Sequence, residues 1–468
     1  MDAGPIDLDL DERTLGTVAP AGRGHARARP LHVLAGGLIG LGALTWLLVL
    51  SGVLPAGSWW VLGLALGVPS AGGSWLFWLR YRGRTAGIHH DDTTFRSSQA
   101  RGVLGWLLAV AFVGFYTLLY WWPERLGRAV DVVEPLSRWM RHSPADPWFL
   151  YGALYTLAVG VFGLRMLLRY RHDRYQRLRT SSVMLFQGVL AFVLPGVLKA
   201  LHQPEFYFTY FWPLKYGYGW PGARGMGSLW SDPGGLGAWF VLWGAAAILV
   251  VTPLLTYLVG KRWYCSWVCG CGGLAETLGD PWRQLSSKAT WAWMLERVLI
   301  HIVLLWVVVV TVLLWIAHLG GGVAPASVTA SLARWYGFFI GALFSGVIGV
   351  GFYPLLGSRV WCRFGCPMAA LLGIQQRLLS RFRITTNGGQ CMSCGNCSAY
   401  CEMGIDVRGY AQAGANIVRA SCVGCGVCAA VCPRGVLKLE NGPLKGRFVG
   451  SDRPLRAVMD SLLDPRIP

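Results

Sequence analysis

Apolar residues along the chain gather into eight runs of roughly twenty, the length that spans a bilayer as a helix. They lie near 31–54, 58–79, 102–122, 148–168, 183–201, 237–260, 297–318 and 334–357. The second is the weakest, because Pro69, Ser70, Gly72 and Gly73 interrupt it. Residues 1–30 turn from acidic to basic (Arg23, Arg27, Arg29) with no apolar periodicity, and read as a disordered tail. The first run is too long for a cleavable signal and lacks a small-residue cleavage site. Beyond the eighth run the period shortens. Residues 381–386 and 435–440 alternate like short strands, the second ending at the Asn441-Gly442 turn signal. The pattern predicts a mainly α, polytopic transmembrane bundle followed by a small α+β domain. Its divisions fall at 1–30 (tail), 31–180 (four membrane helices), 181–378 (membrane core), 379–445 (α+β domain) and 446–468. In that last tail Leu455, Val458, Met459, Leu462 and Leu463 stand at helical spacing, which predicts a packing helix.

Charge orients the bundle. Twenty Lys and Arg flank the spans on the side that holds both termini, against eight in the three opposite loops. Basic residues mark cytoplasmic loops, so both termini are expected in the cytoplasm of a prokaryotic inner membrane. The net charge of +19 is carried beside apolar runs and does not call for nucleic acid. Only 14% of residues are charged and mean hydropathy is +0.44, whereas a soluble domain carries about 25% charged residues. The loop 202–236 is rich in aromatics, from Phe206, Tyr207 and Phe208 to Trp220. It reads first as an interfacial belt, and second as a docking surface or lid for a quinone or an outer partner.

All thirteen cysteines fall in tight motifs. Two runs, Cys391-x2-Cys394-x2-Cys397-x3-Cys401 and Cys422-x2-Cys425-x2-Cys428-x3-Cys432-Pro433, have the ligand spacing of a two-cluster bacterial ferredoxin. The fourth cysteine of each run serves the other cluster. Cys391, Cys394, Cys397 and Cys432 are therefore expected on one [4Fe–4S] cluster, and Cys422, Cys425, Cys428 and Cys401 on the second. Gly395, Gly424 and Gly426 are expected to let the backbone approach the cubes. Zinc sites, usually two CxxC pairs per ion, do not explain a doubled run of this form.

Two further motifs follow the sixth and eighth runs: Trp263-Tyr-Cys265-Ser-Trp-Val-Cys269-Gly-Cys271 and Trp361-Cys362-Arg-Phe-Gly-Cys366-Pro367. They read as an internal repeat ending in CxxxC, with i and i+4 on one face if the helix continues. Cys265, Cys269, Cys362 and Cys366 would suffice for a third cluster or one soft metal ion. They would equally serve as redox dithiols, or be inert buried thiols; Cys271 is a reserve ligand or resolving thiol. Of the histidines, His202 and His318 are the one pair placed for a bis-histidine haem, and interfacial roles are the favoured reading. His89-His90-Asp91-Asp92 reads as a solvated loop. No phosphate loop, nucleophile elbow or HExxH motif is present, so no substrate chemistry of its own is indicated.

Residues 183–440 resemble the membrane polyferredoxin group typified by NapH, NosR and CcoG, through the pairing of two CxxxC motifs with a tandem ferredoxin run. The chain departs from that group at Gly270, which replaces a proline, at the added Cys271, and at Cys401-Glu402 in place of Cys-Pro. The first four spans lie outside the shared core. The resemblance implies electron transfer between cytoplasmic [4Fe–4S] clusters and the quinone pool or a partner redox complex. A second reading is an assembly factor that reduces or handles copper during maturation of a respiratory metalloenzyme. A third is a mainly structural subunit whose clusters are wired to a neighbour.

Overall fold

A computed structural model describes residues 24–82, 100–219, 226–231, 235–320 and 326–444. The expected tail helix and His89-His90-Asp91-Asp92 lie outside the described residues. Eight helices are long and apolar enough to cross a membrane: α1 (Pro30–Ser51), α2 (Trp59–Tyr81), α3 (Val103–Trp121), α4 (Pro147–Arg169), α5 (Arg174–Ala200), α6 (Leu236–Val259), α7 (Thr290–His318) and α8 (Ser327–Ile348). The protein is a polytopic membrane bundle.

Helix α2 is a full span. The small residues that break its apolar run are buried rather than unwound: Gly72 and Gly73 face neighbouring helices. A Cβ on Gly72 would stand 2.9 Å from the Ala35 carbonyl oxygen of α1, so the glycine permits the close crossing that small residues give in lipid. Helices α5 and α7 begin nine and seven residues before their apolar runs. The polar extension of α5 carries Gln176 and Arg179, both buried by protein instead of lipid. Apolar counting cannot see such a turn.

Helix α8 ends early, at a turn containing Gly349 and Gly351, and the chain re-forms a short helix at Tyr353–Leu356. After the second CxxxC motif α9 (Pro367–Leu379) packs on α6 and α7. Strands β1 (Phe382–Thr386) and β2 (Leu437–Asn441) pair antiparallel, Phe382 opposite Asn441 and Ile384 opposite Leu439. No spacer separates this unit from the helices. Arg381 N–H donates to the Tyr257 carbonyl at 2.7 Å. One apolar core holds Cys265, Cys269, Cys362 and Cys366 together with Phe382, Ile384, Met403, Ile417 and Val423.

The loop 202–219 turns part of its aromatic set inward and leaves Tyr210 42% exposed. Phe206 and Phe211 are buried, Phe211 packs on Tyr264 with ring centroids 5.4 Å apart, and Tyr264 Oη–H donates to the Thr209 carbonyl at 2.7 Å. The buried ones find ring partners in the protein, Phe206 stacking on Phe240 at 4.6 Å.

Gly260 closes α6 at φ +74°, and a Cβ there would lie 2.7 Å from Phe382 Cβ. Gly260→Ala is expected to cost about 1–3 kcal/mol through backbone strain and the displaced β1. The measurement is limited proteolysis of detergent-solubilised protein, in which residues 382–441 become the first segment cut. Unchanged protection would show that this contact does not hold the strand.

Candidate metal centres

The two ferredoxin runs fold around two cavities. Cys391, Cys394 and Cys397 line the first together with Cys432 of the other run. Cys422, Cys425 and Cys428 line the second together with Cys401. Each cavity thus takes three sulfurs from one run and the fourth from its partner. The fourth cysteines are held alike: Cys401 Sγ accepts from Ile405 N–H and Cys432 Sγ from Val436 N–H, both at 3.4 Å. Burial pushes Cys422 up to about 11, against the opposing Gly424 N–H. It pushes Cys425 up to about 12, helped by Glu402 and opposed by Arg283 and Arg179. Thiols so placed ionise only beside added positive charge. A sulfur-only donor set with inward N–H groups fits an iron–sulfur cube.

The cavities differ in exposure. Cys394 is exposed and Met392 beside it is 58% exposed, so the first cavity opens to solvent. The second is covered by the helical bundle through four consecutive peptide groups. The carbonyl of Cys422 accepts from Gln376 Nε2 at 2.8 Å and that of Val423 from Ser266 Oγ at 2.9 Å. The Gly424 carbonyl accepts from Tyr175 Oη at 2.7 Å and the Cys425 carbonyl from Gln176 Nε2 at 2.9 Å. With its carbonyls turned outward, the loop leaves N–H groups for the cavity. Gly424 and Gly426 have φ +65° and +73°. Added Cβ atoms would meet Arg262 at 2.7 Å and Tyr175 at 2.8 Å. Their close approach is therefore to the bundle, a requirement beyond the approach to a cube expected from sequence.

Both CxxxC motifs break their helices instead of continuing them. Cys265 ends the short helix Arg262–Cys265, and Cys269 stands extended as N-cap of Gly270–Glu276. In the second motif Trp361–Gly365 forms a π turn and Cys366 is the extended N-cap of α9. Each motif follows a glycine of positive φ, Gly260 and Gly357. The repeat thus extends to Gly-x-Arg-x-aromatic-Cys, with Arg262 matching Arg359. The four cysteines are buried in the one core, near enough for Cys366 to feel Cys362, Cys269 and Cys265. Burial raises Cys265 to about 12 against the pull of Lys261. Cys269 is brought down to about 7 by the hydrogen bond from Cys271, which outweighs burial. Cys271 is thereby tied to the site. Among the described residues no three His, Cys, Asp or Glu side chains form a group able to hold a single metal ion. His202 and His318 are exposed at the ends of α5 and α7 remote from the ferredoxin cavities.

A buried ion network joins these centres, and sequence reasoning missed it. Asp280 pairs with Arg165 at 2.5 Å, Arg169 at 2.7 Å and Arg283 at 3.0 Å. Glu276 pairs with Arg179 and, at 2.5 Å, with Arg359. Arg359 continues to Glu402 at 3.0 Å, to the Cys265 carbonyl at 3.3 Å and to Cys362 Sγ at 3.5 Å. Glu402, which replaces the usual proline, is wholly buried. The departure from Cys-Pro noted in the sequence is the ferredoxin's ionic anchor. The available signal was the presence of Glu276 and Asp280 in an acid-poor stretch.

The 4Fe-4S dicluster domain family matches residues 390–437. A second family, described as a 4Fe-4S binding domain, matches twice, at 241–289 and 337–385, each stretch holding one CxxxC motif. The chain is an iron–sulfur protein. Over 171 residues it is 29% identical to YccM of Escherichia coli (strain K12), provisionally named an electron transport protein. That match covers 35% of this chain and 47% of YccM, so the chain spans about half the length of this relative. No solved structure matches the chain.

Burial would raise the Asp280 carboxyl, but Arg169, Arg165 and Arg283 outweigh it and hold it far below the ordinary range. A depressed value means that its stabilisation is present above the unfolded pKa of about 3.9. It is lost only as pH falls through the lower folded value. Asp280→Asn removes it at neutral pH and leaves three buried guanidiniums short of a partner, at a cost of about 3–5 kcal/mol. Thermal unfolding in detergent at pH 7 checks this; a midpoint equal to wild type would contradict the role assigned to Asp280.

Proposed function

We propose that the chain is a member of the membrane polyferredoxin group that passes single electrons inward, from an exposed ferredoxin centre to the helix-end cysteines. Cys391, Cys394, Cys397 and Cys432 would hold one [4Fe–4S] cluster, and Cys401, Cys422, Cys425 and Cys428 the other. Such a cube supplies reversible one-electron transfer with little rearrangement of its ligands. The observation that carries this reading is the seam between the second cavity and the first CxxxC motif. Ser266, the neighbour of Cys265, donates to Val423, the neighbour of Cys422. The second cavity is thus bonded directly to the helix-end site, while the first faces solvent.

At the helix-end site Cys265, Cys269, Cys362 and Cys366 would hold a third cluster. Support comes from the 4Fe-4S binding family matching both motifs, and from the sulfur-only donor set. The Arg359 guanidinium, at Cys362 Sγ, favours the thiolate there. From this site electrons would pass to the quinone pool or a partner redox complex. The basic residues flanking the spans support an inner-membrane location with both termini in the cytoplasm.

Anaerobically prepared protein is expected to hold about 12 Fe per chain, falling to about 8 in Cys265→Ser and Cys362→Ser. About 8 Fe in wild type would leave the helix-end cysteines as redox thiols or a copper-handling site. Electron flow to a quinone analogue should drop at least tenfold in both variants; unchanged flow would remove the site from the path. Alkaline phosphatase fused in the loop between α5 and α6 should be active, and inactive when fused at the C-terminus. The reverse pattern would invert the proposed topology.

A further inference from the structure

Lys261 follows the glycine that ends α6, and it is 1% exposed. Its backbone N–H donates to Gln376 Oε1 at 2.8 Å. The amide nitrogen of that glutamine donates in turn to the Cys422 carbonyl at 2.8 Å and the Arg419 carbonyl at 2.9 Å. The clamp fixes Lys261 at the junction of three pieces: the first CxxxC motif, α9 and the second ferredoxin loop. Its carbonyl accepts from the Cys265 N–H at 3.0 Å, so the residue is bonded directly to a cysteine of the helix-end site and, through Gln376, to Cys422 of the second ferredoxin loop. The neighbouring buried arginines Arg179, Arg283 and Arg359 all have carboxylate partners. Lys261 pairs with no carboxylate among the described residues. An ammonium in a protein interior is costly without an anion beside it. The interior carboxylates Glu276, Asp280 and Glu402 are taken by arginines, which leaves the thiolates of the two sites.

We propose that Lys261 is a counter-charge shared by the second ferredoxin centre and the helix-end site, and that it draws the electron inward from the exposed first centre. The inference rests on the cluster reading above. Reducing a centre adds one negative charge, and a fixed cation nearby stabilises the reduced form, more strongly where water is excluded. The basic residues lining the first cavity, Arg408 and Arg434, are exposed, where solvent and salt screen them. One electron leaves the first centre, which is oxidised, and arrives at the second, which is reduced. No bond is made or broken. The electron lost by the first centre is replaced by a one-electron donor of the low-potential flavin or iron–sulfur class. Lys261 is a positioning residue here, since it acts through charge and ligates nothing.

The test is an anaerobic redox titration of the full chain in detergent, followed by low-temperature EPR, on wild type, Lys261→Met and Lys261→Arg. Wild type should show two ferredoxin midpoints set apart. Lys261→Met should move the higher one to more negative potential and leave the lower in place, and Lys261→Arg should restore the wild-type pattern. Unmoved midpoints in Lys261→Met at full iron content overturn the proposal, as does an equal shift of both. If Lys261→Met fails to retain iron, Lys261→Arg decides. Full loading with wild-type midpoints supports a role for charge, and loss of iron there too overturns it. Wild type holding well under about 8 Fe per chain would instead sink the cluster reading, and the iron count tells the two failures apart.

Discussion

Everything in this molecule depends on how one ferredoxin loop is held. Four successive carbonyls, from Cys422 to Cys425, accept hydrogen bonds from Gln376, Ser266, Tyr175 and Gln176. A peptide group presents its carbonyl and N–H in opposite directions, so fixing the carbonyls on the helices commits the N–H groups to the cavity. The same contacts satisfy polar atoms that would otherwise be buried without partners. Docking and cavity formation are therefore one event. The glycines at 424 and 426 are required because the bundle comes within van der Waals reach of the backbone on the side away from the cavity.

The ion network makes this docking specific. Burying charge is expensive, and removing one partner of such a set is worse than never having built it. Glu402 reaches Arg359 and Arg283 only when the ferredoxin sits in one position. Any other position strands the buried Glu402 carboxylate, while Arg359 and Arg283 keep Glu276 and Asp280. The network thus adds little net stability but excludes misdocked arrangements. It also carries the alignment to the second motif, since Arg359 touches both Cys362 Sγ and the Cys265 carbonyl.

Much of this was legible from residue pattern. The eight spans follow from apolar run length, with ends displaced by up to nine residues, and β1 and β2 from alternation. The cavity-lining cysteines follow from spacing, because a cube fixes which sulfurs come together. What sequence could not supply were contacts between elements far apart in the chain. Arg179 and Glu276 are separated by nearly a hundred residues, and nothing local pairs them. Gln176, Gln376 and Ser266 are ordinary polar residues until the fold sets them against one loop. Glu402 was visible as a departure from proline, yet its reason lies wholly in tertiary structure. The helix breaks at the CxxxC motifs were signalled only weakly, by a glycine five residues before the first cysteine of each, Gly260 before Cys265 and Gly357 before Cys362.

The shared core also constrains biogenesis. Cys265, Cys269, Cys362 and Cys366 lie beneath the loop 422–425 and are each 5–7% exposed. Once the last stretch of chain has folded over them, nothing as large as a metal cluster or a thiol-exchange partner can reach them. The open route to these cysteines is in the chain before the second ferredoxin run docks over them. Synthesis from N- to C-terminus provides that interval, because both motifs are complete before the second ferredoxin run leaves the ribosome. The order of the motifs along the chain thus sets the order in which the sites are completed, the innermost before the solvent-facing one.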